Sequence, residues 1–193
     1  MRPYGFRAAL VLVLGPGASG VVAGGCSDPV LLPAYFENRV DTLRIWAATG
    51  TDVFRPSAYL ISQRSVARLD QVNYFDFIYD ITPNGEHVFV PLGAVANTGR
   101  TLGNPGLLPT NLAFGTITIA EQTGYVTADT VQIRVSDVFY ARSQPAPTCI
   151  LAIPNYAKLE VLSMNDSSRS VEIQVLANIN CGYRSLEPGL PKK

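Results

Sequence analysis

Apolar and polar residues alternate with a period of two along most of this chain, and no other regularity in it constrains the fold more. Such alternation belongs to strands that turn one face to a core and the other to water. From Asp129 to Tyr140, Val131, Ile133, Val135 and Phe139 alternate with Thr130, Gln132, Arg134 and Ser136. From Asn73 to Ile81, Phe75, Phe77, Tyr79 and Ile81 take one side, and Tyr74, Asp76, Ile78 and Asp80 the other. In Arg39 to Ala47, Leu43, Ile45 and Ala47 share a face opposite Thr42, Arg44 and Trp46. The same reading predicts strands at Ser57 to Ile61, His87 to Leu92, Phe114 to Ala120, Tyr156 to Met164 and Ser170 to Ala177.

The punctuation between these runs is that of hairpins. Thr82-Pro83-Asn84-Gly85-Glu86 predicts a tight turn, because Asn-Gly accepts the positive φ such turns require. Asn165 to Arg169 predicts a second short loop. No segment carries a capped helical stripe; Arg64 to Val72 comes nearest and suits a strand or loop equally. Charged residues are only 16% of the chain, below the roughly 25% of an average domain, which favours a β-rich core. These features predict one all-β domain over residues 39–186, an antiparallel β-sandwich of the immunoglobulin-like type, with a closed β-barrel as the alternative. Gly93 to Asn111 holds four glycines and two prolines and is expected to be a long, mobile, structureless connection, open to trypsin at Arg100. Residues 187–193 are expected to be a disordered tail.

The first twenty-six residues follow a different rule. Arg2 and Arg7 precede an uncharged apolar run from Ala8 to Leu14, which Gly15-Pro16-Gly17 breaks. Val21-Val22-Ala23-Gly24-Gly25 then leads through small residues to Cys26. The apolar run is far short of the roughly 20 residues a membrane span needs. This layout resembles the signal peptide of bacterial lipoproteins, in which the cysteine after the lipobox is diacylated and becomes the mature N-terminus. Ala23 stands where leucine is usual in that motif. The resemblance implies a signal peptide at 1–25, lipidation of Cys26 and a short tether over 26–38. It also implies a membrane partner reached through the lipid. Ser27 directly after the cysteine implies, by the same resemblance, the outer membrane rather than the inner. A plain secretory signal cut after Ala23 is the alternative, and would leave the protein secreted or periplasmic.

Cysteine arithmetic bears on that choice. An exported chain with Cys26, Cys149 and Cys181 has an odd thiol unless one is modified. Cys149 and Cys181 flank the predicted strands Tyr156 to Met164 and Ser170 to Ala177. Their odd numbers place them in phase with the inward set Leu159, Val161, Val171, Ile173 and Val175. A Cys149–Cys181 disulfide is therefore predicted.

Chemistry for catalysis is sparse. The chain has one histidine, His87, at the start of a predicted strand, and it is expected to be a surface residue without a partner. No Gly-x-Ser-x-Gly elbow or phosphate-binding Gly-x-x-x-x-Gly-Lys occurs in the mature part. Asp76 and Asp80 lie about 13 Å apart on an extended strand, too far to share an ion unaided, and are expected to be solvated. Asp80-x-Thr82-x-Asn84-Gly85 mimics the opening of a calcium loop, but Pro91 stands where that loop needs glutamate. No catalytic residue, metal or cofactor is predicted. Without residues 1–25 the chain keeps 13 basic and 15 acidic residues, a balance that excludes a nucleic-acid partner. Trp46 is a candidate ligand contact, alone or with aromatics near the 93–111 loop. The predicted function is a lipid-anchored, non-catalytic domain of the bacterial cell envelope with a binding or structural role toward an envelope protein or glycan. The alternative is a glycan- or small-ligand-binding module built on that loop. An enzyme using carboxylates alone ranks third.

Overall fold

A computed structural model describes residues 32–96, 105–146, 149 and 152–192. Cys26 and Arg100 lie outside them. The described residues form ten strands: β1 (Val40–Trp46), β2 (Ala58–Leu60), β3 (Ser65–Ala67), β4 (Phe77–Ile81), β5 (His87–Pro91), β6 (Gly106–Thr110), β7 (Val131–Gln132), β8 (Val138–Pro145), β9 (Pro154–Asn165) and β10 (Ser170–Asn178). They build two five-stranded antiparallel sheets, ordered β1-β10-β9-β8-β6 and β3-β2-β4-β5-β7. Neither sheet closes on itself, so the fold is a sandwich and not a barrel. It has five strands to a sheet, where immunoglobulin-type sandwiches carry seven to nine in all.

The core is the sum of the inward faces. Ile45, Leu159, Val161, Val171, Ile173 and Val175 from the first sheet meet Tyr59, Phe77, Tyr79 and Phe89 from the second. Phe89 and Phe139 meet edge-on across the gap at 6.0 Å between ring centres. The predicted turn forms as expected: Gly85 adopts φ +84, and Thr82 and Glu86 close it through their backbones.

Four segments depart from expectation. Asp129 to Tyr140 is not one strand. The chain leaves the second sheet after β7, turns at Arg134–Asp137 with Ser136 at φ 73, and joins the first sheet as β8. Inward parity survives the crossing, with Val131, Ile133, Phe139 and Ala141 all buried, which is why one alternating pattern spans two strands. Val135 sits at the crossover and is exposed.

The stretch from Gly93 to Asn111 is not structureless. It opens in a short helix, α1 (Leu92–Ala96), and closes in β6, whose Leu107 is fully buried. Pro109 is tolerated because β6 is an edge strand. Gly106 is required there, since a Cβ would lie 2.8 Å from the Val126 carbonyl oxygen. Phe114 to Ala120 is a single 3-10 turn followed by extended chain with one bridge, Ile119 to Ser185. This segment covers the outer face of the first sheet, where Ile117 and Ala120 pack with Tyr140, Tyr156, Leu176 and Leu186. Residues 187–192, read from sequence as disordered, are tied down as well. Gly189 and Asn38 exchange both backbone hydrogen bonds at 2.8 Å, and Pro191 is buried.

Candidate functional site

Among the described residues, an open concavity lies on the outer face of the first sheet, where the covering segment stops short. One cross-strand row there runs Thr110, Val138, Glu160, Gln174 and Thr42. Beside it, Thr110, Asn111, Phe114, Asp137, Glu160 and Gln174 line an open groove of about 540 Å³. Gln174 donates from Nε2 to Glu160 Oε2, and Asp137 Oδ2 accepts the Arg134 N–H at 2.8 Å. Ser136, a non-glycine residue in the left-handed region, sits on its lip. The groove thus offers carboxylates, amides and hydroxyls around one aromatic ring. Such groups can hydrogen-bond a polar ligand.

Under the groove's edge lies Lys158, only 3% exposed. Its Nζ donates to the Ile117 carbonyl at 2.8 Å and lies 4.7 Å from the centre of the Phe114 ring. Burial holds this ammonium below the ordinary lysine range, and the Glu187 carboxylate partly opposes the shift. Lys158 therefore fixes the covering segment and Phe114, and so shapes one wall of the groove.

Two polar groups expected to be solvated are buried or bonded. Asp76 is 2% exposed. Its Oδ2 accepts the Ile61 N–H at 2.6 Å and its Oδ1 the Gln144 N–H at 3.1 Å. Burial pushes its carboxyl up to about 7, against the lowering effect of the two backbone donors. Reading Asp76 as solvated fails because the regular strand starts only at Phe77, so the carboxylate turns between the sheets and ties them together. Asp80 stays nearer solvent, and its Oδ1 accepts from the Thr49 N–H, the Thr49 hydroxyl and the Ile81 N–H.

His87 is also not a lone surface residue. Its Nδ1 is 2.6 Å from the Tyr79 hydroxyl and its Nε2 2.9 Å from Asp166 Oδ1 in the β9–β10 turn. A neutral ring protonated on Nε2 satisfies both: Tyr79 donates to Nδ1 and Nε2–H donates to the carboxylate. Tyr79 is fully buried, so its hydroxyl does not reach a substrate, and the trio works as a clasp between the sheets. Sequence spacing gave no sign of it, because Asp166 comes from the other sheet's hairpin.

Trp46 is half-buried on the edge strand β1, with the Arg55 guanidinium 5.1 Å from its ring centre. It lines no part of the groove, which is built from β6, β8, β9, β10 and the residues after β6. The 105–111 end of the long connection does reach the groove, through Thr110 and Asn111.

Cys149 and Cys181 form a disulfide, with 5.3 Å between their Cα atoms. Neither lies in a strand: β9 begins at Pro154 and β10 ends at Asn178. The Cys149 N–H donates to the Ala146 carbonyl and the Ala152 N–H to the Cys149 carbonyl, both at 2.9 Å. The pairing is as predicted, but the route to it is not the strand extension that the numbering implied.

No protein-family model, curated protein or solved structure gives a significant match to this chain.

Proposed function

We propose that this chain is a lipid-anchored protein of the bacterial cell envelope, held at the outer membrane rather than the inner, whose sandwich binds or supports a partner without catalysis. The observation that carries the reading is the Cys149–Cys181 disulfide. It is the bond of an oxidising compartment, and it leaves Cys26, at the end of a lipobox-like segment, as the one cysteine without a disulfide partner in the chain. Feeding producing cells a clickable palmitate analogue should label the protein, and Cys26→Ser should abolish the label. Labelling that survives the substitution, or a mature N-terminus at Gly24, would overturn the reading.

The groove beside Asn111 and Phe114 favours a second reading, in which the domain binds a glycan or another small polar ligand. Titration with cellohexaose and chitohexaose, followed by calorimetry, tests it directly. A measurable affinity that falls about tenfold in the Asp137→Asn, Glu160→Gln double variant supports the reading, at the scale of one or two lost charge-assisted hydrogen bonds. Binding indifferent to both substitutions removes the groove from consideration.

A further inference from the structure

Three segments meet at the end of the sandwich where β1 begins. The C-terminal strap lies between the other two: Gly189 pairs with Asn38 on one side, and Ser185 bridges Ile119 on the other. Side-chain amides lock the arrangement. Asn38 Nδ2 donates to the Ser185 and Glu187 carbonyls, and Asn180 Oδ1 accepts the N–H groups of both Tyr35 and Phe36. Asn180 Nδ2 returns a bond to the Phe36 carbonyl. With the backbone so firmly held, the outward side chains are held in place with it.

Many of those side chains are apolar, with Glu37, Arg39 and Glu187 exposed among them. Tyr35 is 74% exposed and Phe36 54%, and Leu32, Val40, Ile119 and Leu190 are exposed too. Six large apolar groups on three adjoining segments make a rim that water does not favour. A groove of about 440 Å³ is lined by Ile119 and Tyr183 together with Arg184, Lys192 and Glu187. Exposed aromatic rings and aliphatic side chains bordered by charged groups are the composition of a membrane-interface surface.

The chain's own course names the occupant. Tyr35 follows Cys26 by nine residues, a tether no longer than about 30 Å when fully extended. Acyl chains on Cys26 would keep this end within about 30 Å of the bilayer. We propose that the rim of Tyr35, Phe36, Ile119 and Leu190 rests on the membrane surface and seats its aromatic rings at headgroup level. The sandwich is then oriented with its far turns, including Gly85 and Asp166, away from the lipid. The choice of a bilayer as occupant rests on the lipid-anchor reading, whereas the rim itself stands on the geometry.

The mature protein purified from producing cells tests both separately. Its intact mass reports whether Cys26 carries acyl chains, and so decides the anchor alone. Hydroxyl-radical footprinting on phosphatidylethanolamine–phosphatidylglycerol vesicles, with the Cys26→Ser chain free in buffer as reference, decides the rim. If the mass shows no acyl chains, the unlipidated protein is added to the same vesicles and compared with itself in buffer. Phe54, which is 66% exposed in the loop beyond the opposite end of β1, serves as the internal control. Vesicles should lower oxidation of Tyr35 and Phe36 by about threefold or more and leave Phe54 unchanged, as expected for rings seated in the interface. Equal oxidation with and without vesicles would overturn the proposal, as would equal protection of Phe54. Protection that appears in buffer and grows with protein concentration would assign the rim to a second copy of the chain and overturn it as well.

Discussion

The two sheets of this sandwich are held by different means. In the first, β8, β9 and β10 run for 8, 12 and 9 residues, and long backbone ladders bind them to one another. In the second, β2, β3 and β7 have only 3, 3 and 2 residues. Ladders that short fix little by themselves. The second sheet is instead fastened to the first by side chains that cross the gap: Asp76 to the Gln144 N–H, and Tyr79 with His87 to Asp166. The comparison teaches where the molecule is vulnerable. The first sheet depends on packing and a covalent link, and the second on polar contacts that respond to pH and to single substitutions.

The largest expected effect comes from Asp76. Its carboxyl titrates near 7 in the folded chain, well above the 3.8 of a free side chain, because burial disfavours the charge. The folded protein therefore binds a proton more readily than the unfolded one between those values. This contribution to stability is fully present below about pH 4, declines as pH rises, and is gone above about pH 7. The span corresponds to about 4 kcal/mol at most. Other carboxylates titrate in the same range, so the test is a difference: denaturant unfolding of the wild type and Asp76→Asn from pH 4 to 8. The stability gap between them should change by several kcal/mol across that window. Parallel profiles would show that Asp76 does not carry the pH dependence.

The disulfide should matter nearly as much, and on the other side of the comparison. It spans 32 residues, for which chain entropy gives roughly 3 to 4 kcal/mol. Cys149→Ala with Cys181→Ala should lower the unfolding free energy, extrapolated from urea titration, by that amount. The β9–β10 ladder should nonetheless persist, because neither cysteine lies within a strand. Loss of amide-exchange protection across Tyr156 to Val161, with the rest of the domain still folded, would contradict that division.

How much of this was readable beforehand follows the same divide. The inward faces of the long strands could be read because parity is a local signal. Ile173 and Val175 could point to the core only if Glu172 and Gln174 pointed away. Parity cannot report which sheet a strand joins, and so the crossing at Ser136 was invisible between Ile133 and Phe139. It is equally silent on chain that packs without pairing. Phe114 to Ala120 alternates like a strand, yet it covers one. The groove was half readable, through the loop that supplies Thr110 and Asn111, whereas Glu160 and Gln174 come from strands and carry no motif. The reading of Asp76 as solvated and of His87 as a surface residue without a partner fails for a common reason. Each has one partner, Gln144 or Asp166, that lies 68 or 79 residues away in sequence, and only the fold brings it close.

The smallest expected effects lie within the His87 clasp and sharpen the comparison most. Its two bonds differ in surroundings: Tyr79 is fully buried, whereas the Asp166 side chain is 87% exposed. Removing the Tyr79 hydroxyl leaves His87 Nδ1 facing the core without its donor, so Tyr79→Phe should cost about 1 to 2 kcal/mol. Asp166 can be replaced at His87 Nε2 by water, and its charge is screened, so Asp166→Ala should cost about 0.5 kcal/mol or less. In a double variant the two losses should fall short of adding, because both act on one ring and share its tautomer. Urea unfolding of the three variants provides the cycle. Should Asp166→Ala prove the costlier of the two single changes, the clasp would be an electrostatic tether between the sheets. The second sheet would then be held at its rim by charge rather than from within by a buried hydrogen bond.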